Sequence, residues 1–211
     1  MYSRTIEDAK KQLALTKRQK EILFGLLLGD GHLETQNNGR TYRLKIEHSI
    51  KQKEYVDWLY DEFRKWILTL PREKIKKREG IRSVNYGFST VSHGALRFYA
   101  HQYYEKNGVK KVPKLIHRWL TPLALAVWYM DDGSVKSKHH RARILNTQSF
   151  HAKDIERLMN ALKSRYALSS HARKQTDGLQ IMILAESADD FARIVRPYIH
   201  QAMLYKLKGL D

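Results

Sequence analysis

The sequence predicts an α+β protein made of two pseudo-symmetric halves, each running α-β-β-α-β-β-α. Three observations carry that prediction. Two segments, residues 22–28 and 123–130, are almost wholly apolar and each leads into Asp-Gly. Each is followed by a turn and a strand-like stretch. Each stretch then enters the same signature without a gap: Ser49-Ile50-x-x-Lys53-Glu54 in one copy, Ser149-Phe150-x-x-Lys153-Asp154 in the other. Recurrence of a whole element order marks an internal duplication.

Taken in order, the first helix is expected from Thr16 to Gly31. Thr16 with Gln19 has the form of a capping box, and Gly31 is a natural stop. Ile22, Leu23, Phe24, Leu26, Leu27 and Leu28 leave it almost no polar face, so it must be buried on nearly all sides. Asn38-Gly39 then suits a turn, and residues 40–50 alternate, with Tyr42, Leu44, Ile46 and His48 on one side and Arg43, Lys45, Glu47 and Ser49 on the other. An amphipathic helix carrying Tyr55, Trp58, Leu59 and Phe63 follows, then a basic stretch (residues 74–82) leading into a strand over 83–89. In the second copy Thr121-Pro122 reads as an N-cap with proline at the first helical position. Residues 142–150 form the next strand, Ile155, Leu158, Met159 and Leu162 line the next helix, and Asp177-Gly178 closes a hairpin. The expected organisation is an N-terminal extension over 1–15, a first half over 16–106, a connection over 107–119 and a second half over 120–211.

Composition limits the function classes. The 211 residues carry 39 Lys and Arg against 22 Asp and Glu, a formal net charge of +17, which favours a polyanionic partner and above all nucleic acid. Cysteine is absent, which excludes disulfides and thiolate metal sites. No run of 18 apolar residues or secretory signal occurs, so no membrane association is expected. The expectation is an intracellular protein, of a prokaryotic cytoplasm or an organelle matrix.

Asp30 and Asp132 occupy corresponding places at the C-terminal ends of the apolar helices. A carboxylate there opposes the helix dipole, at a cost of a few tenths to about 1 kcal/mol. Something must compensate, twice, and a divalent cation would: carboxylates and terminal carbonyls are the hard oxygen ligands Mg²⁺ and Ca²⁺ take. In a basic protein, two such carboxylates point to phosphodiester hydrolysis.

At these residues the chain resembles the LAGLIDADG homing endonucleases, in the single-chain, two-motif subclass of the yeast mitochondrial intron-encoded type. The motifs are LFGLLLGDG (residues 23–31) and LAVWYMDDG (residues 125–133), supported by LNTQSF (145–150) and AMLYKL (202–207). The resemblance implies two motif helices packed side by side at the centre, Gly25 and Gly29 allowing their approach, and antiparallel saddle-shaped sheets laid on DNA. It implies Asp30 and Asp132 as catalytic, metal-binding residues with help from the carbonyls of Gly29 and Asp131. It further implies a lysine near each site: Lys206 in LYKL, and Lys110 rather than Lys111 by its distance from Pro113. Mg²⁺ is the expected cofactor, with Mn²⁺ as a substitute and Ca²⁺ binding without supporting cleavage. A monomer, a long double-stranded DNA site and short 3′ overhangs complete the expectation.

The polar faces of the strands suit the major groove, where Arg and Lys meet guanine and Asn and Gln meet adenine. Candidates are Arg40, Arg43, Lys45, Glu47, Arg82, Ser83 and Asn85 in the first half. In the second they are Lys136, Lys138, Arg141, Arg143, Thr147, Arg173, Gln175 and Gln180. Residues 74–78 and Lys110-Lys111 are expected on backbone phosphates, which give salt-dependent affinity and little sequence information. The competing class is a nuclease-inactive nucleic-acid binder on the same scaffold, an intron RNA maturase above all, with the chain's own intron RNA as partner; a structural RNA-binding protein is the other. Retention of both acids favours the enzyme.

Overall fold

A computed structural model describes residues 10–78, 81–137 and 140–210. The element order follows the expected duplication. The first copy has α1 (Lys17–Leu28), β1 (His32–Glu34), β2 (Arg43–Ser49), α2 (Lys53–Phe63), β3 (Arg72–Arg78), β4 (Ile81–Ser89) and α3 (Arg97–Tyr103). A short helix, α4 (Ile116–Trp119), precedes the second copy. That copy has α5 (Pro122–Asp132), β5 (Gly133–Ser137), β6 (His140–Leu145), α6 (Ala152–Tyr166), β7 (Ser170–Gln175), β8 (Gly178–Ile183) and α7 (Ala188–Val195), with a 3₁₀ segment over Gln201–Leu207. Each copy has one four-stranded antiparallel sheet, and the orders correspond: β1-β2-β4-β3 and β5-β6-β8-β7. Among the described residues no helix is long and apolar enough to cross a membrane.

Two compact units result. One holds residues up to Lys20 with Asp30–Ala100; the other holds Glu21–Gly29 with His101 onward. The break falls inside α1, so most of the first apolar helix belongs to the second unit.

In the first unit, the capping box closes as the sequence implied. Thr16 N–H donates to Gln19 Oε1 (3.0 Å) and Gln19 N–H to Thr16 Oγ1 (3.1 Å), satisfying two otherwise orphaned groups at the helix start. In β2, Leu44, Ile46 and His48 are buried while Arg43, Lys45 and Glu47 are half-exposed, because successive side chains leave opposite faces of a strand. The buried side packs with Tyr55, Val56, Leu59 and Phe63 of α2 and with Tyr86 and Phe88 of β4. Asn38 and Gly39 have positive φ (55° and 80°), as a turn there requires, but the loop spans residues 35–42.

In the second unit, Thr121 caps α5 through its Oγ1, which accepts from Ala124 N–H (3.2 Å), and Pro122 takes the first helical position. Every residue from Leu123 to Met130 is at most 3% exposed. Part of that burial comes from α1. A Cβ on Gly25 would lie 2.4 Å from the Ala124 carbonyl and 2.7 Å from Val127 Cβ, and one on Gly29 would lie 2.5 Å from Asp131 Cβ. Only hydrogen fits between the two backbones. The departure of the second motif from glycine is thereby explained: Val127 and Asp131 fill the grooves that Gly25 and Gly29 open. Phe24 stacks on Trp119 at 4.8 Å, and Tyr103 donates to the Phe24 carbonyl (3.1 Å), holding α1 from its other side.

This crossing predicts a contrast between two glycines. Gly25→Ala must push on backbone and is expected to lose about 1–3 kcal/mol of stability by denaturant unfolding. Gly94→Ala meets no atom within 4 Å and is expected to change the midpoint little.

Candidate active site and nucleic-acid interface

The ends of the two apolar helices are finished alike. In the second unit, Lys110 Nζ donates to the Gly29 carbonyl at 2.6 Å. Lys206 Nζ donates to the carbonyls of Tyr129 (3.4 Å), Met130 (2.5 Å) and Asp131 (3.2 Å). Each lysine thus brings a positive charge to terminal carbonyls whose dipole is negative. Lys206 is buried, and Tyr129 anchors its backbone by donating its hydroxyl to the Lys206 carbonyl (2.6 Å). Burial pushes the Tyr129 phenol well above its ordinary range, which keeps it a donor. Ammonium groups of Lys110 and Lys206 thus meet the carbonyls at both helix ends. The carbonyls of Gly29 and Asp131, expected to assist a metal, each accept a lysine.

Asp131 does more than its carbonyl suggested. Its carboxylate lies against Gly29, with Oδ2 2.5 Å from where a Cβ would sit. In the first unit, His48 Nδ1 lies 3.4 Å from Asp30 Oδ2 and 3.1 Å from Gln52 Oε1. The imidazole is buried and the Asp30 carboxylate is half-exposed. His48 was legible only as a core residue, because strand alternation placed it on the apolar side.

The outer face of the first sheet is an ion-paired array. Glu34 accepts from Arg43 (2.9 Å) and Lys45 (3.0 Å). Glu47 accepts from Lys74 (2.9 Å), Asn85 (2.9 Å) and Lys76. Burial alone would raise the Glu47 carboxyl, but hydrogen bonds from Lys76, Asn85 and Lys74 outweigh it and hold the group at about 2. Glu34 is lowered in the same way: burial opposes, and Lys45 and Arg43 prevail. Register places Arg72, Lys74 and Lys76 on the face of Glu47, since Arg72 lies opposite Gly87 and Lys74 opposite Asn85. The basic segment expected on phosphates is therefore a strand that shares this outer face. Arg82 pairs with Lys77 and alternates away from Ser83 and Asn85, so those three candidates are split between faces. Arg40 is exposed in the loop before β2.

The second sheet keeps fewer of its candidates. Arg173 lies opposite Gln180 and Gln175 opposite Gly178, one face with Met182 and Ile144. Arg143 lies opposite Ile183, on the face of Leu145 and Ile181. It is 1% exposed and donates to the carbonyls of Arg141 (2.6 Å) and Lys208 (2.8 Å), so it fastens the C-terminal segment and is not a reader. Arg141 shares its parity and pairs with Asp189 of α7. Thr147 is fully buried and donates to the Leu179 carbonyl (2.7 Å). Burial thus corrects the expectations for Arg143 and Thr147, while Arg141 is exposed. Ala142 and Ile144 take the opposite side and form a small apolar cluster with Met182 and Leu184. Lys136 sits at the register shift between Val135 and Ser137, and Lys138 lies outside the described residues.

Duplicated α-β-β-α-β-β-α units, apolar helices crossing at glycine and lysine-capped acidic ends define the class of two-motif LAGLIDADG proteins. The chain belongs to the LAGLIDADG DNA endonuclease family, whose model matches residues 20–191. It is 32% identical to DNA endonuclease I-ChuI of Chlamydomonas applanata, over 92% of this chain and 96% of that protein. It is 30% identical to the probable intron-encoded endonuclease 1 of Wickerhamomyces canadensis, over 97% of this chain and 90% of that one. Among solved structures it is similar to the homing endonuclease I-WcaI bound to its DNA recognition sequence. There the TM-score is 0.91 and the identity 26%, over 98% of this chain and 92% of that one.

Two predictions follow from the sheets. Because the folded Glu47 carboxyl titrates near 2 against 4.5 unperturbed, its contribution to stability is present above pH 4.5 and lost as pH falls toward 2. Unfolding titrations between pH 6 and 3 are expected to show a smaller acid loss for Glu47→Gln than for the parent. Arg143→Leu is expected to cost about 1–3 kcal/mol, because it leaves buried carbonyls unpaired. Arg173→Ala, on the outer face, should stay within about 0.5 kcal/mol of the parent in the same measurement.

Proposed function

We propose that this family member is a site-specific homing endonuclease that hydrolyses one phosphodiester in each strand of a long DNA site, leaving short 3′ overhangs. The observation that carries the reading is the duplicated helix end: an Asp-Gly pair, preceded by an apolar helix whose last carbonyls are held by a lysine. Asp30 and Asp132 are the acids, one per strand, and Lys110 and Lys206 act beside them. The donor set fits a divalent cation of the Mg²⁺ kind, since it consists of carboxylates and carbonyls, and Mn²⁺ would serve the same donors. When bound, such a cation polarises the scissile phosphate and lowers the pKa of an attacking water.

The chain's own residues do the positioning. Gly25 and Gly29 set the helix crossing that carries the acids. The lysines offset the helix-end dipole that opposes a carboxylate there. Arg43, Lys45, Lys74 and Lys76 face the duplex, with Glu34 and Glu47 holding their long side chains in place before DNA arrives. Arg173, Gln175 and Gln180 do so in the second half.

The test is incubation of the full chain with Mg²⁺ and a duplex spanning the insertion site of its own gene. Cleavage of both strands is expected, with Asp30→Asn or Asp132→Asn reducing it by about 100-fold or more. Affinity should fall linearly on a log–log plot against salt, by about 0.9 per phosphate neutralised. An intact duplex beside tight, metal-independent binding of the intron RNA would instead make this a maturase.

A further inference from the structure

In the second unit a single side chain ties the end of α5 to the outer face of the sheet. Asn146, just past β6, donates twice to the carbonyl of Asp132, from its backbone N–H at 3.0 Å and from Nδ2 at 2.7 Å. Its Oδ1 accepts from Gln180 Nε2 at 2.7 Å. Thr147, buried beside it and bonded to the Leu179 carbonyl, fixes the backbone on which Asn146 stands.

The two amides in this chain have a defined direction. A peptide carbonyl can only accept, so Asn146 must present Nδ2 to Asp132 and therefore Oδ1 to Gln180. Gln180 must then present Nε2 to Asn146. What remains to Gln180 is one N–H and Oε1, a donor and an acceptor, which is what the N7 and N6 groups of adenine take in the major groove. A base edge that required the flipped amide would set Oε1 against Asn146 Oδ1, two acceptors facing each other. Relief comes if Asn146 also turns, and Nδ2 then leaves the Asp132 carbonyl.

We infer that Asn146 is a positioning residue that couples base recognition at Gln180 to the placement of Asp132, making cleavage of one strand conditional on what Gln180 meets. The inference rests on Asp132 being a cleavage acid and on the sheet face meeting DNA.

The experiment measures cleavage of a duplex labelled separately on each strand by the full-length chain with Mg²⁺, beside affinity for the same duplex without divalent ion. Asp132→Asn identifies the strand served by that acid. Asn146→Ala is expected to slow that strand at least tenfold, to leave the other strand unchanged, to accumulate nicked product, and to keep affinity within about threefold. Gln180→Glu, on the outer face and without effect on packing, offers only acceptors to Asn146 and should slow the same strand. The double variant should be no slower than Asn146→Ala alone, because residues acting through one another are not additive. Equal slowing of both strands, or additive effects, would overturn the coupling and leave a merely structural asparagine. A selective block by Asp132→Asn with none by Asn146→Ala overturns the coupling while the endonuclease reading stands. An Asp132→Asn protein that cuts both strands normally sinks both. Should Asn146→Ala not fold, Gln180→Glu alone decides between these outcomes.

Discussion

Two helix backbones that touch through glycine hydrogens set the terms for everything else in the second unit. At Gly25 and Gly29 the neighbouring helix comes so close that a methyl group would overlap its backbone or its Asp131 side chain. Such a crossing excludes water along its length, which is why residues 22–28 and 123–130 can be apolar all round. It also determines where both helices stop, and the stopping points carry the acids. A shift of one residue along α1 would put Leu28 or Asp30 in place of Gly29 opposite Asp131, and the crossing could not close. The motif is therefore a packing device first, and the position of its acids is a consequence of the packing.

Helix ends of this kind raise an electrostatic difficulty that the structure meets in an unexpected order. Carboxylates at a helix C-terminus call for positive charge nearby, and a metal ion is one source. Lys110 and Lys206 provide another that does not depend on a bound ion. An ammonium group donates up to three hydrogen bonds from a compact charge, and Lys206 uses that capacity on three successive carbonyls. Arginine, with its planar fork, does not match three carbonyls converging from one helix turn. The helices are thus closed by the chain itself.

Much of this was readable from residues alone, for identifiable reasons. The strand at 43–49 alternates cleanly between apolar and polar, so its faces were assigned correctly. The strand at 140–145 reads His-Arg-Ala-Arg-Ile-Leu, where both faces carry apolar residues and the sign of the alternation is undetermined. Polarity favoured Arg143 as outward, and the register shows the reverse: Arg143 lies on the buried face of Leu145 and Ile181, its guanidinium donating to the nearby Arg141 carbonyl and to that of Lys208, 65 residues away. Thr147 misled for a related reason, since a hydroxyl is as easily spent on a buried carbonyl as on a base. The basic run at 74–78 was legible as charge and as part of a strand pair, although Lys and Glu have low strand propensity, which the pairing with β4 overrides. His48 emits no local signal; its place beside Asp30 exists only once the chain has folded.

The two halves are alike where backbone topology and helix capping are concerned and differ where side chains meet the outside. One sheet presents carboxylate-centred ion pairs, with Glu34 and Glu47 each holding two cations. On the other, Arg173 and Gln180 border a buried apolar cluster of Ala142, Ile144 and Met182. Near Asp30 stands a histidine; the Asp132 peptide is held by an asparagine. A symmetric dimer cannot diverge in this way, because each substitution enters both halves at once. Joining the copies in one chain removes that constraint. Each sheet is then free to diverge on its own, and each helix end to acquire its own neighbours, while the shared helix crossing and its lysines are kept.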